Sequence, residues 1–189
     1  MTKEEILHII RDYADDAHGN QMRKYTPERY IVHPVRVMEK LRGYTDRLPL
    51  LAAALLHDVL EDTLVKPPQM LEFLKGVMNE AEAEAEETLK LVIEMTDEFV
   101  KEAYPKLNRK QRKQMELERI ALTGADAQTI KYADIIDNAI DITANDRNFA
   151  PRYLKEVSAI LKMADKGNAE LYAKAMQVVK DSYNSIDLR

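Results

Sequence analysis

The sequence predicts an all-α protein, a single helical bundle of about eight helices over residues 1–189. Three observations predict it. Apolar residues recur at three- and four-residue spacing along nearly the whole chain. No stretch keeps a convincing alternating β pattern. Helix start and stop signals punctuate the chain at regular intervals. The one run that alternates, Ala81–Glu87, is built from Ala and Glu, which are good helix formers and poor strand formers.

The elements follow in order. Thr2 with Glu5 reads as a capping box, and Ile6, Ile9, Ile10, Tyr13, Ala14 and Ala17 then carry a first helix to His18-Gly19. His8 lies off that apolar set and His18 stands at the helix end, so both are expected to face solvent. A polar loop with Arg23, Lys24 and Arg29 leads to Pro34, which suits a first helical turn. His33 is therefore expected to be extended at the helix entrance. Val35, Val37, Met38 and Leu41 carry this second helix to Gly43.

Leu48 to Thr63 is expected to be one continuous central helix. Pro67-Pro68 opens another, Gln69 to Lys75. Asn79 is expected to cap a long helix whose core face is Leu89, Val92, Ile93 and Met95. A polar connection with Pro105 follows, bearing Lys106, Arg109, Lys110, Arg112 and Lys113. A charge run of this kind is usually a solvated face, and it equally suits a wall of a phosphate-binding cleft. Gln111–Leu122 is helical and Gly124 ends it. Asp126 can cap the next helix, whose core face is Ile130, Ala133, Ile136, Ala139 and Ile140. Pro151 starts a helix to Ala164, Lys166-Gly167 breaks it, and Asn168 caps a last one to about Ser182.

Composition narrows the function. The 189 residues suit one domain. The net charge of -5 argues against a strongly basic nucleic-acid binder and leaves room for a local basic pocket. There is no cysteine, which excludes disulfides, thiolate metal sites and cysteine nucleophiles and suits a reducing, cytoplasmic setting. The N-terminus lacks the basic start and long apolar core of a signal peptide. The best apolar run, Leu48–Leu56, is too short to span a membrane. No membrane partner is expected, and the oligomeric state is left open. Neither a P-loop nor a G-x-S-x-G elbow is present.

The chemistry concentrates in LAAALLHDVLEDT, Leu51–Thr63. A lone His-Asp pair at a helix end is ordinarily a solvated terminus. Here an apolar segment runs into His57-Asp58 and, one turn later, Glu61-Asp62. Charges in such a place pair with one another or hold metal. His33, His57, Asp58 and Asp134 together make an N/O donor set suited to Mn²⁺, Fe²⁺ or Zn²⁺. Glu61 and Asp62 can orient a water or move its proton. Arg23, Lys24 and Lys106 can neutralise phosphate.

RKYTPERYIVHP, ALLHDVLEDT, TDEFVKEAYPKLNRK and IKYADIIDN resemble, in order, the motifs of the HD-domain (p)ppGpp 3′-pyrophosphohydrolases. These form the hydrolase half of RelA/SpoT proteins, and the PKLNRK element is most similar to the small, stand-alone metazoan-type alarmone hydrolases. The resemblance runs from about His18 to Asp141. It implies a single Mn²⁺ held by His33, His57, Asp58 and Asp134, and a water positioned and activated by Glu61 and Asp62. It also implies Arg23 and Lys24 at the nucleotide, Lys106 at phosphate and Asn138 at the sugar. The implied reaction is ppGpp plus water to GDP and pyrophosphate. The family usually carries a basic residue at Ile135, an aromatic or histidine at Asp137 and an arginine at Ile140. Those departures keep two other functions in view: hydrolysis of another phosphorylated nucleotide, such as NADPH at its 2′-phosphate, and a nucleotide-sensing module with a degenerate site.

Overall fold

The computed structural model describes residues 1–78 and 82–187. Ten helical segments lie among them, and the only β pairing there is an isolated antiparallel bridge between Met22 and Arg29. The expected all-α class stands. The expected cap at Asn79 lies outside the described residues. No helix among those described is long and apolar enough to cross a membrane. The chain divides into two compact units, Met1–Thr96 and Asp97–Arg189.

The first unit holds α1 (Lys3–His18), α2 (Val32–Arg42), α3 (Leu48–Leu56), α4 (Val59–Asp62), α5 (Pro67–Met78) and α6 (Glu82–Met95). It is organised around α3. Pro49 sits in that helix's first turn, where no amide donor is needed. From Leu50 to Leu56 every residue is buried, with α1, α2 and α6 packed around them. A helix apolar on all sides belongs inside. Each fully buried leucine, such as Leu51, Leu55 and Leu56, contributes about 1.5–3 kcal/mol relative to exposure. The capping box of α1 forms as expected, with Thr2 Oγ1 accepting from the Glu5 amide and Glu5 accepting from the Thr2 amide.

Five expectations need correction in this unit. The central helix is not continuous: it stops at Leu56, turns at His57-Asp58 and resumes at Val59 for one turn. That break largely accounts for finding more helices than expected. His33 is not extended but lies inside α2, which begins one residue earlier. The chain is already helical at Ile31 (φ -53°, ψ -23°), so the helix nucleates ahead of the proline; the steric preference of a pre-proline residue is a bias and not a prohibition. His18 is buried, with 7% of its surface exposed. The buried face of α1 is Leu7, Ile10, Ala14 and His18 together with Ile6, and Ile9 turns outward. On α6 the buried face is Ala85, Thr88, Leu91, Val92 and Met95, leaving Ile93 exposed.

The second unit holds α7 (Arg109–Leu122), α8 (Ala125–Asn145), α9 (Ala150–Met163) and α10 (Ala169–Asp187). Asn108 and Gln111 form a capping box for α7. Gly124, not Asp126, occupies the cap position of α8, and Asp126 falls in its first turn, where a negative charge suits the helix dipole. The core face of α8 includes Ile130, Ala133, Ile136 and Ala139, while Ile140 is exposed. α8 packs against α9 and α10.

The α9–α10 connection is built tightly against α8. The Tyr132 hydroxyl donates to the Ala164 carbonyl at 2.7 Å and the Gly167 amide donates to Tyr132 at 3.2 Å. Asn168 caps α10 through its side-chain oxygen to the Leu171 amide, 2.9 Å. A Cβ on Gly167 would lie 2.6 Å from Tyr132 Cε2 and 2.9 Å from the Thr129 backbone nitrogen. Backbone cannot swing away as a flexible side chain can. Gly167→Ala is expected to destabilise the protein by about 1–3 kcal/mol, read as a lower urea midpoint at unchanged slope.

Candidate metal and nucleotide site

The His57-Asp58 turn decides the geometry. On a regular helix adjacent side chains point about 100° apart. The helix break lets these two neighbours aim at one place. His57 closes α3 and its Nδ1 lies 2.8 Å from the Ala54 carbonyl. A carbonyl only accepts, so Nδ1 carries the proton, and the other ring nitrogen of the neutral imidazole presents a lone pair. His57 Nε2 stands 3.1 Å from Asp58 Oδ2. His33, from the first turn of α2, brings its Nε2 to 3.7 Å from the same oxygen. The two imidazole rings lie 5.2 Å apart, edge to face. His33 and His57 are 1% and 3% exposed, and the Asp58 side chain is 20% exposed, which leaves one open side.

The donor set fits a divalent cation. One nitrogen from each ring and one carboxylate oxygen all lie within 4.8 Å of one another. Bonds of about 2.0–2.2 Å at ordinary coordination angles place neighbouring ligand atoms about 3.0–3.6 Å apart, close to the two histidine–carboxylate spacings of 3.1 and 3.7 Å. The Tyr30 hydroxyl donates to Asp58 Oδ2 at 2.7 Å. Such an outer hydrogen bond orients a ligating carboxylate. Tyr30 is not among the residues the sequence suggests for the site.

Glu61 and Asp62 follow directly on α4, and both are exposed. The Asp62 amide donates to the Asp58 carbonyl at 2.9 Å, so the one-turn relation between these two residues survives the helix break. Asp62 Oδ2 accepts from Gln21 Nε2 at 3.1 Å. Arg23 and Lys24 lie in the α1–α2 loop. That loop is closed by Arg23 N to Glu28 O at 2.8 Å and Tyr30 N to Gln21 O at 2.9 Å. The Arg23 guanidinium sits 5.7 Å from the Tyr30 ring centre, and the Lys24 ammonium 4.8 Å from that of Tyr25. Glu28 is held below the usual carboxylate range, first by the Thr26 hydroxyl and then by Arg36.

In the second unit Asp134 is buried, with 6% exposed. Asn138 donates to its Oδ1 at 2.6 Å and Lys131 to its Oδ2 at 2.9 Å. Asp134 and Asn138 are thus joined one turn apart, as the four-residue spacing suggests. Lys106 is exposed in the turn before α7. Much of the basic run around it is structural: Arg109 pairs with Glu156, Lys113 pairs with Asp97, and Arg112 donates to the Leu107 carbonyl. Of the three departures from the family motif, Ile135 and Asp137 are buried and Ile140 is exposed.

Comparison with known proteins identifies the family. The HD domain family model matches residues 30–139, more than half of the chain. Human guanosine-3′,5′-bis(diphosphate) 3′-pyrophosphohydrolase MESH1 is 33% identical over 137 residues, 69% of this chain and 66% of that protein. The Drosophila melanogaster protein of the same name is 34% identical over 70% of this chain and 67% of its own length. A guanosine-3′,5′-bis(diphosphate) 3′-pyrophosphohydrolase of Aquifex aeolicus is 48% identical over 52 residues, 28% of this chain and 7% of that protein. The chain therefore spans about two thirds of the metazoan relatives and a small part of the bacterial one. A solved structure, described as a metazoan ortholog of SpoT that hydrolyses ppGpp and plays a role in starvation responses, superimposes with a TM-score of 0.74. It is 24% identical, with 93% of this chain and 94% of that one covered. At that identity the likeness concerns the fold.

Proposed function

We propose, from the premise that this chain belongs to the HD-domain family, that it is a metal-dependent phosphohydrolase acting on a guanosine nucleotide of the ppGpp type. The reaction is hydrolysis of the 3′-pyrophosphate of ppGpp or pppGpp, giving GDP or GTP and pyrophosphate. The observation that carries this reading is the convergence of His33, His57 and Asp58 on one point beside the exposed Glu61-Asp62 pair. The names of the curated relatives support the substrate. The family match across residues 30–139 supports treating residues 1–189 as one HD-type domain.

His33, His57 and Asp58 hold the ion, which we take to be a single Mn²⁺. Asp134 is carried as a fourth ligand on the family motif alone. A divalent cation so bound polarises a phosphoryl oxygen and lowers the pKa of its water. Glu61 and Asp62, one turn along the chain from the His57-Asp58 pair, would orient that water and take its proton. Arg23 and Lys24 meet the nucleotide, Arg for base stacking and phosphate and Lys as a mobile point charge. Lys106 meets phosphate and Asn138 the sugar. With such a substrate the expected setting is the cytoplasm.

The test is a parallel assay of ppGpp and NADPH with purified protein and Mn²⁺, identifying the ion released. Pyrophosphate from ppGpp, abolished by EDTA, is the expected result. Orthophosphate from NADPH with nothing from ppGpp would move the substrate, and the exposed Ile140 would be the first position to examine. Binding of either nucleotide without turnover would point instead to a sensing module.

A further inference from the structure

We propose that His18 and Gln21 are positioning residues for Asp62, fixing which carboxylate oxygen of Asp62 faces the attacking water. The inference rests on the hydrolase reading, in which Asp62 acts on water. Gly19 (φ 57°) turns the chain sharply after α1, a conformation L side chains rarely adopt. The Gln21 amide then donates to the His18 carbonyl at 3.1 Å, and the Gln21 carbonyl accepts from Tyr30 at 2.9 Å. Gln21 is thereby pinned at both backbone ends. Its side chain bridges two groups: Nε2 donates to Asp62 Oδ2 at 3.1 Å, and Oε1 lies 2.9 Å from His18 Nδ1.

The chemistry of the partners orders this chain. A carboxylate only accepts, so the Gln21 nitrogen must face Asp62 and its oxygen must face His18. The oxygen in turn requires the proton of His18 to sit on Nδ1. The Gln21 amide orientation and the His18 tautomer are thereby fixed together: His18 supports Gln21, and Gln21 holds Asp62 Oδ2, leaving Oδ1 to work on water. Two further observations mark His18 as more than packing. It is 93% buried by residue surface, and its Nε2 is buried with no hydrogen-bond partner among the described residues. A buried, unsatisfied ring nitrogen is costly, so a hydrophobic residue would serve packing better. The His18 ring also lies 4.5 Å from that of Tyr30, the residue that orients Asp58.

Two measurements test the proposal. The first is steady-state ppGpp hydrolysis with Mn²⁺ by Gln21→Leu, His18→Phe, His18→Asn, Asp62→Asn and the Gln21→Leu/Asp62→Asn double variant. Gln21→Leu and His18→Phe are expected to lower kcat about tenfold with KM within about twofold. His18→Asn places an amide donor where Nδ1–H stands and is expected to keep activity. Gln21→Leu is expected to add nothing once Asp62 is Asn. Unchanged kcat in Gln21→Leu, or effects that multiply in the double variant, would overturn the proposal.

The second measurement needs no substrate: the ¹⁵N shifts of His18 in metal-free protein. Protonation of Nδ1, shifting toward Nε2 in Asp62→Asn, is expected. Nε2 protonation in the unaltered protein would overturn the proposal. If the unaltered protein fails to hydrolyse ppGpp, the hydrolase reading falls by itself, and the ¹⁵N result still decides whether His18 and Gln21 orient Asp62.

Discussion

Asp58→Ala is expected to abolish divalent-metal binding and turnover together. Asp58 is the one carboxylate of the three-residue donor cluster, and its Oδ2 is the atom that both histidine Nε2 atoms and the Tyr30 hydroxyl approach. Removing it leaves two neutral imidazoles on one open side. Outer-shell partners alone are worth about 10–100-fold in metal affinity, so loss of a charged ligand is expected to exceed 100-fold. Helical content should persist, because Asp58 occupies a turn and contributes no buried apolar surface to the α3 core. The check is calorimetric Mn²⁺ titration alongside circular dichroism. Metal affinity within tenfold of the unaltered protein would remove Asp58 from the ligand set.

Glu61→Gln and Asp62→Asn are expected to separate what Asp58→Ala joins. Each keeps the size of the side chain and removes its ability to take a proton. General base catalysis contributes about 10²–10⁴-fold, and losses in kcat of that size are expected, with Mn²⁺ affinity preserved. Both side chains are exposed on the single turn of α4, so neither change should cost measurable stability. Single-turnover assays at saturating Mn²⁺ provide the check. If both variants keep full turnover, the water is activated by some other group.

The fold class was legible because it rests on short-range physics. The capping boxes at Thr2–Glu5 and Asn108–Gln111 are local hydrogen-bond patterns, and the apolar run of α3 leaves only a buried helix as its solution. The break at His57-Asp58 was not legible. LAAALLHDVLEDT contains no Pro or Gly, so nothing local marks a stop at His57-Asp58. Asp58 takes φ -96°, ψ -9°, and there its carboxylate meets the imidazoles of His33 and His57 and the Tyr30 hydroxyl; the contacts to His33 and Tyr30 are long-range, and propensity cannot register them.

His18 shows the opposite error. The spacing Leu7, Ile10, Ala14, His18 runs three, four, four and puts the histidine on the buried face. Its polarity and terminal position point instead to solvent, and the spacing is the better guide. Ile93 and Ile140 were read as core because they are apolar, and helix phase turned both outward. At the site, residue identity located His33, His57 and Asp58, whose meeting required the fold. Gln21 and Tyr30 were missed because a glutamine and a tyrosine in a polar loop carry no spacing signal; only the loop closure between Gln21 and Tyr30 reveals them.

One divalent ion held at His33, His57 and Asp58 is proposed to drive phosphohydrolysis. That role is tested most directly by titrating Mn²⁺ into metal-free protein while following bound metal and pyrophosphate release from ppGpp in the same samples. Activity is expected to rise in step with occupancy and to reach its plateau at about one ion per chain. Full activity in metal-free protein, or a plateau of binding at one equivalent with no release of pyrophosphate, would contradict it.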